Sequence, residues 1–405
     1  VSEPKLFASS AELLSLTGTY GTPLYVYSEP MLRQRCARLK RAFDALPVRL
    51  LYAVKANDNP HILKIIAQEG FGFDTVSFEE ALLGMSIGMD PSRIVYTENN
   101  MTDEEMREAM AAGVYLNIGS YSRLEAFCAA GGRTCSIRVN PAIGDGHHAK
   151  VDTGNSDSKF GIRLDLIPQA VAMAKAHGVR ITGLHLHIGS GIRKPDNLIA
   201  AMNTLLDVGD ALPDLEWMNF GGGFPIPYKE DDEEFSIEEF ALKAAPILER
   251  RKLVYFFEPG RWIVGPTGLL LTTVNTVKDQ GRITFLGTDT GFNHLLRPAL
   301  YDAWHEVKNV TRGDASADQV YTIAGNICET GDILAVDRRL PATTSGDVLA
   351  LCDAGAYGMT MASGYNRRPF PAEVLITEDG ARVIRPRKSA SQTIQEFLHE
   401  TGATS

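Results

Sequence analysis

From residue 50 to residue 261 the sequence switches again and again between short β-rich runs and longer stretches with helically spaced apolar residues. No other feature narrows the possible folds as much. The β-rich runs fall at 50–54, 72–76, 93–96, 115–118, 135–139, 181–187, 217–220 and 253–258. Helical spacing occupies 60–68, 78–87, 102–112, 122–129, 166–177, 197–212 and 237–250. Ser77-Phe78-Glu79-Glu80 and Thr102-Asp103-Glu104-Glu105 carry the hydroxyl-then-carboxylate pattern that satisfies the unpartnered N–H groups of a helix's first turn. Eight strands alternating with helices predict a closed (β/α)8 barrel, with an open doubly wound sheet as the competing architecture.

After Arg261 the character changes. Residues 262–277, 282–289, 319–323, 347–352, 372–376 and 382–384 read as strands with turn residues and few helices. The run Gly21-Thr22-Pro23-Leu24-Tyr25-Val26-Tyr27 is also strand-like and is expected to pair with this later segment. At 405 residues the chain should hold two or three domains of about 150 residues each. The predicted α/β organisation is a barrel over 31–265 and a β-rich second domain assembled from 1–30 and 266–405. The acidic run Lys229-Glu230-Asp231-Asp232-Glu233-Glu234 reads as a solvated loop.

Forty basic against fifty acidic side chains leave a formal charge of −10, which argues against nucleic acid as a partner. Apolar stretches such as 268–274 are far shorter than the roughly 20 residues of a membrane span, so no membrane association is expected. Residues 1–16 mix charge and small polar residues without a basic-then-apolar pattern, and no signal peptide is expected. Cys36, Cys128, Cys135, Cys328 and Cys352 are odd in number and form no C-x-x-C pair, the usage of a reducing cytoplasm.

In a barrel of this kind, chemistry belongs at the C-terminal strand ends. Lys55 follows the apolar end of strand one, where desolvation would lower its pKa and let it form an imine with a carbonyl. Taken alone, it reads first as a lysine that ends a strand and reaches solvent. Strand six runs into His185-Leu186-His187-Ile188-Gly189-Ser190-Gly191, and strand seven into Gly221-Gly222-Gly223. Either glycine run alone is a tight turn. Two at neighbouring strand ends can cradle one phosphate with backbone N–H groups. His187 falls nearer the rim and could stack on a ring, while His185 fits interior packing. Glu258 emerges from an apolar run and needs a partner, for which an ion pair with Arg261 is the structural alternative. An amine, a phosphate cradle, a ring-stacking imidazole and a buried carboxylate are the four things pyridoxal phosphate requires.

Those residues resemble the fold-type III pyridoxal-phosphate decarboxylases: Leu51-Tyr52-Ala53-Val54-Lys55-Ala56-Asn57, the His187 to Gly191 segment, Gly221-Gly222-Gly223 and Glu258-Pro259-Gly260-Arg261. Later motifs are similar to the meso-diaminopimelate decarboxylase subfamily. They are Asn293-His294-Leu295-Leu296-Arg297-Pro298-Ala299-Leu300-Tyr301, Cys328-Glu329-Thr330-Gly331-Asp332, Asp353-Ala354-Gly355-Ala356-Tyr357-Gly358 and Tyr365-Asn366-Arg367-Arg368-Pro369. The resemblance implies a barrel with a β domain built from both chain ends, and decarboxylation of meso-2,6-diaminopimelate to L-lysine as the last step of lysine biosynthesis. It implies that Lys55 forms an imine with pyridoxal 5'-phosphate and that His187 stacks on the ring. Asp74, Ser190, Gly222, Gly223, Glu258, Pro259, Gly260, Arg261 and Tyr357 would complete the cofactor site, with Glu258 facing the pyridine nitrogen. Arg261, Arg297 and Tyr301 would hold the substrate carboxylate away from the reacting carbon, and Glu329 its distal ammonium. Tyr357 would touch both cofactor and substrate. Cys328 and Glu329 would reach into the neighbouring subunit's site, making the active unit a homodimer.

Physical chemistry favours those roles. A carboxylate at the pyridine nitrogen keeps it protonated and strengthens the electron sink, and a thiol such as Cys328 can return a proton to the α-carbon. Two arginines suit a dicarboxylate and repel the cationic tails of lysine, ornithine or arginine as substrates. Taken alone, Arg297 could be a structural surface arginine. Ser77-Phe78 and Glu98 depart from the commoner family pattern, which leaves room for an altered substrate. The alternatives are a sister decarboxylase for another carboxylated amine or basic amino acid, and an inactive homologue that binds or regulates. The loop Gly144-Asp145-Gly146-His147-His148-Ala149-Lys150 resembles the family's mobile segment. Its histidines lack the further ligands of a metal site, and no metal is expected.

Overall fold

The computed structural model describes residues 5–145, 153–154, 158–192 and 195–403. His147 and His148 therefore lie outside the described residues. Two compact units are present, one of Arg33–Ile226 with Glu233–Ile263, the other of Val1–Leu32, Pro227–Asp232 and Val264–Ser405.

In the first unit eight parallel strands follow the predicted order: Val48–Ala53, Gly72–Thr75, Ile94–Thr97, Tyr115–Ile118, Thr134–Asn140, Arg180–His185, Trp217–Asn219 and Val254–Phe257. Each pairs with the next, and the eighth pairs with the first through Tyr255↔Val48, Phe256↔Arg49 and Phe257↔Leu50. The sheet is closed, so the barrel prevails over the open doubly wound sheet. Seven helices return the chain between strands: Pro60–Gln68, Phe78–Ser86, Asp103–Ala111, Tyr121–Ala129, Ile167–Ala176, Pro195–Gly209 and Ile237–Leu248. Thr102 and Glu105 form a reciprocal capping box. At Ser77 the hydroxyl takes the Glu80 N–H, but the Glu80 carboxylate reaches one residue further back, to the Val76 N–H. Beneath the eighth strand, Phe43, Phe224, Phe235, Phe240 and Phe257 pack ring to ring with centroids 5.1 to 6.3 Å apart. Burying each such ring stabilises the fold by roughly 1.5–3 kcal/mol.

The helix Glu29–Phe43 is not foreseen by the sequence reading, because its many basic side chains mask the apolar positions Met31, Leu32, Cys36, Leu39 and Phe43 that it buries. The predicted strand over 262–277 is also corrected. Arg261–Val264 is one helical turn, and the strand proper is Gly268–Asp279. The Ile263 N–H donates to the Gly260 carbonyl, and the Arg35 guanidinium lies 4.0 Å over the Trp262 ring, which together favour the turn.

The second unit is a mixed nine-stranded sheet. As expected, the early strand Leu24–Ser28 joins the later segment, antiparallel to Gly268–Asp279 and parallel to Ala372–Thr377. The strand Ile333–Leu340 escapes sequence reading because Asp337, at φ 54°, and two register shifts interrupt its alternation. Terminal helices Ser10–Tyr20 and Ala390–Glu400 were likewise not anticipated. The acidic run is exposed, as predicted, and the Asp232 carboxylate accepts the Tyr228 and Lys229 N–H groups. All five cysteines are free thiols, with Cys328 alone exposed. Among the described residues no helix is long and apolar enough to cross a membrane.

Candidate active site

Strand register assembles one wall of the barrel interior. Arg138 on the fifth strand stands beside His185 on the sixth, His185 beside Asn219 on the seventh, and Asn219 opposite Phe256 on the eighth. Glu258 follows Phe256 by two residues and so shares its face. All four polar side chains are buried. The Asn219 Nδ2 donates to Glu258 Oε1 at 2.6 Å, and His185 Nε2 lies 3.2 Å from the same oxygen. Burial pushes the Glu258 pKa up. His185, by charge and hydrogen bond, and Lys55 outweigh it and hold Glu258 below the usual carboxylate range. Glu258 therefore rests on His185 and Asn219. Arg261, its expected ion-pair partner, donates from Nη2 to Ser190 Oγ at 3.0 Å. His185, read as interior packing, is a partner of the key carboxylate. Arg138 and Asn219 had no assigned role. Their signal was available as a charge and an amide at inward positions of apolar strands.

Lys55 sits just beyond the first strand, on the 3-10 turn Val54–Ala56. The Asn57 N–H to Val54 carbonyl bond closes the turn, and the Tyr52 hydroxyl donates to the Asn57 carbonyl at 3.0 Å. Register places Ala53 opposite Asp74, and Lys55 Nζ meets Asp74 Oδ2 at 2.7 Å. Burial and the charge of Glu258 raise the Asp74 pKa against the lowering by Lys55. The lysine is thus an ion-paired group at a strand end, held by a buried carboxylate while its own side chain stays 35% exposed.

The glycine loops interlock. Gly191 and Ile192 N–H groups donate to the Gly223 carbonyl at 3.0 and 2.9 Å. A Cβ at Gly223, whose φ is 103°, would lie 2.3 Å from the Gly189 carbonyl oxygen, and one at Gly222 would lie 2.0 Å from that of Glu258. Only residues without a side chain allow the sixth, seventh and eighth strand ends to approach so closely. His187 Nδ1 accepts the Gly222 N–H at 3.2 Å. Burial, then the charges of Arg138 and Lys55, lower the His187 pKa to about 3, so the ring is neutral. The Pro259 carbonyl accepts the Ala53 N–H, and Gly260 packs on Ala53 and Ala56, which ties this segment to the lysine turn. An amine, an ionised carboxylate, a neutral imidazole and a glycine-built cradle on one rim fit a phosphorylated pyridoxal.

In the second unit, Arg297 opens the short helix Arg297–Tyr301 and is buried, which overturns the surface-arginine reading. Its guanidinium lies 4.9 Å from the Tyr228 ring, and Nη1 is 2.7 Å from His305 Nε2. Tyr301 closes the same turn, half-buried. Cys328 and Glu329 are on an exposed turn. Asn366 accepts the Cys328 N–H at 3.1 Å and donates to its Sγ at 3.2 Å, while the Tyr365 hydroxyl donates to Glu329 Oε1 at 2.7 Å. Tyr357 has φ 56°, a left-handed backbone that costs a non-glycine residue roughly 1 kcal/mol. Next to it, a Cβ on Gly358 would meet the Tyr25 hydroxyl at 2.5 Å.

The two departures from the family pattern have structural roles. Ser77 caps the helix that Phe78 begins. Glu98 is buried and takes the Gly119 N–H at 2.6 Å and the Met101 N–H at 3.4 Å. Among the described residues no group of three His, Cys, Asp or Glu side chains could hold a metal.

Residues 30–265 match the family described as pyridoxal-dependent decarboxylase, pyridoxal binding domain. The chain is 41% identical to the diaminopimelate decarboxylase of Methanothermobacter thermautotrophicus, covering 96% of this chain and 95% of that one. It is 36% identical to the enzyme of the same name from Aquifex aeolicus, covering 97% and 96%. The crystal structure of Helicobacter pylori diaminopimelate decarboxylase complexed with L-lysine superposes with a TM-score of 0.90 at 31% identity, covering 96% of this chain and all of that one. Barrel, rim chemistry and full-length similarity agree, and the chain belongs to the diaminopimelate decarboxylases, a family of pyridoxal-dependent carboxy-lyases.

Proposed function

We propose that this protein decarboxylates meso-2,6-diaminopimelate to L-lysine and CO2, the last step of lysine biosynthesis, using pyridoxal 5'-phosphate held at Lys55. The observation that carries the reading is the buried, ionised Glu258 on the same rim as the Lys55–Asp74 pair. When bound, the cofactor supplies an electron sink for the carbanion left by CO2. Glu258 holds a proton on the pyridine nitrogen, which a neutral or cationic partner would not do. The neutral imidazole of His187 stacks on the ring face without adding charge. Ser190, Gly222, Gly223 and the Pro259-Gly260-Arg261 segment take the phosphate, and Asp74 orients Lys55. Arg261, Arg297 and Tyr301 hold the carboxylate that does not react, Glu329 accepts the distal ammonium, and Tyr357 touches both cofactor and substrate. Cys328 delivers a proton to the α-carbon.

The active unit in this reading is a cytoplasmic homodimer. Five free thiols support the reducing compartment. Exposed Glu329 and Tyr365 support the dimer, since they border a groove of about 730 Å³ lined by Phe292, Leu296, Ala299 and Leu300, and Cys328, next to Glu329, is exposed as well. The test mixes purified protein, pyridoxal phosphate and meso-diaminopimelate and follows CO2 and lysine, with L-lysine and L-ornithine as parallel substrates. Release from diaminopimelate alone is expected. Cofactor absorbance without that turnover would move the assignment to a sister decarboxylase.

A further inference from the structure

His305 lies outside every motif that carries the family resemblance, yet it is fully buried and makes two short polar contacts. Its Nε2 is 2.7 Å from Arg297 Nη1, and its Nδ1 is 2.8 Å from the Cys352 carbonyl oxygen. Arginine can only donate and a carbonyl can only accept. The imidazole is therefore the neutral tautomer with its proton on Nδ1. The Tyr228 ring stands edge-on 5.6 Å from His305 and 4.9 Å from the Arg297 guanidinium, so it packs against both groups.

We propose that His305 is a positioning residue for Arg297: locked in one tautomer by Cys352, it engages one guanidinium nitrogen and aims the rest of the fork at the substrate carboxylate that does not react. This rests on the reading of Arg297 given above. A neutral acceptor suits the task, because it orients the guanidinium without cancelling the charge the carboxylate needs. A carboxylate in the place of His305 would compete with the substrate for the same fork.

The contact is remote from the reacting carbon and equal in ground and transition states, so its loss should appear in KM. Loss of CO2 from one end of diaminopimelate leaves lysine, which keeps the distal carboxylate, whereas cadaverine has none. For the holoenzyme, His305→Leu should raise KM for diaminopimelate and Ki for L-lysine by about ten- to a hundredfold, with kcat and the cadaverine Ki changed by no more than about threefold. His305→Gln, whose Oε1 can accept where Nε2 did, should recover most of the loss. Equal weakening of lysine and cadaverine would reduce His305 to a packing residue and overturn the proposal. Arg297→Lys separates the two readings. If it leaves KM and the lysine Ki unchanged, the role of Arg297 fails; if it raises both while His305→Leu does not, the role of His305 alone fails. Nitrogen-15 NMR of the native protein should find the His305 proton on Nδ1, and a proton on Nε2 would sink the proposal whether or not the leucine variant folds.

Discussion

At the barrel rim, Glu258 sits between Asn219 and His185 and Asp74 holds Lys55, with all three partners and both carboxylates anchored on or beside barrel strands. In the other unit, Glu329 and Cys328 stand on an exposed turn and are met by Tyr365 and Asn366, themselves exposed. The first set, apart from the partly exposed Lys55 amine, is desolvated and organised within one unit. The second keeps its charge and thiol in water, where ion pairs and hydrogen bonds contribute little to stability. The contrast teaches that the groups proposed to hold the cofactor belong to the barrel's own buried packing. Groups assigned to the substrate's far end and to proton return remain open to a ligand or a second subunit.

The largest effect should come from Lys55→Ala, which should lower turnover by about a thousandfold or more and remove the cofactor-linked visible absorbance. Mixing that variant with Glu329→Ala tests the division directly. If Glu329 serves the neighbouring subunit's site, randomly exchanged dimers should regain about a quarter of wild-type activity, because half the dimers are mixed and each has one intact site. No recovery after verified subunit exchange would break the comparison.

Stability sharpens it next. Glu258→Ala leaves His185 and Asn219 facing an emptied buried site and should cost about 3 kcal/mol in urea unfolding. Glu329→Ala should cost less than about 0.5 kcal/mol. Equal losses would mean that the two regions do not differ as their burial implies.

A smaller effect is shared by both units. Burial and nearby cations lower the His187 pKa to about 3, and burial, followed by Arg387 and Arg368 against the Pro369 backbone, lowers that of His294 to about 4. Because these folded-state values lie below the unfolded value of about 6.5, the unfolded chain binds the extra protons as pH falls. Their stability contribution is present above pH 6.5 and is lost toward the folded values, by about 2 kcal/mol per histidine between pH 7 and pH 5. Replacing His294 with phenylalanine should make the change in urea midpoint between pH 7 and pH 5 less destabilising than in the native protein, which also carries the opposing contribution of Glu80, raised by burial to about 7, and both rings should remain neutral by NMR at pH 5. An acid-induced loss no smaller in the variant would contradict the sign.

Much of the barrel was legible because its evidence is local. Apolar period, helix caps and glycine runs are properties of neighbouring residues, and eight strand–helix alternations leave few topologies. Lys55, Glu258 and the glycine loops were found by the same logic, at the ends of recognisable strands. Where local evidence conflicted with tertiary packing, the reading failed. The charge-rich helix Glu29–Phe43 hides its buried face, and Trp262 belongs to a helical turn beneath Arg35.

By itself, then, the sequence determined the strand–helix alternation, the chemical inventory at the strand ends and the order of motifs. Partner choice was decided by the tertiary structure. That Glu258 is held by His185 and Asn219, that Lys55 meets Asp74, and that a buried imidazole engages Arg297 follow from register and chain crossing. The physical reason is that an isolated polar side chain in a sequence has several affordable partners in water. Burial removes all but those within hydrogen-bond reach, and only the closed fold specifies which those are.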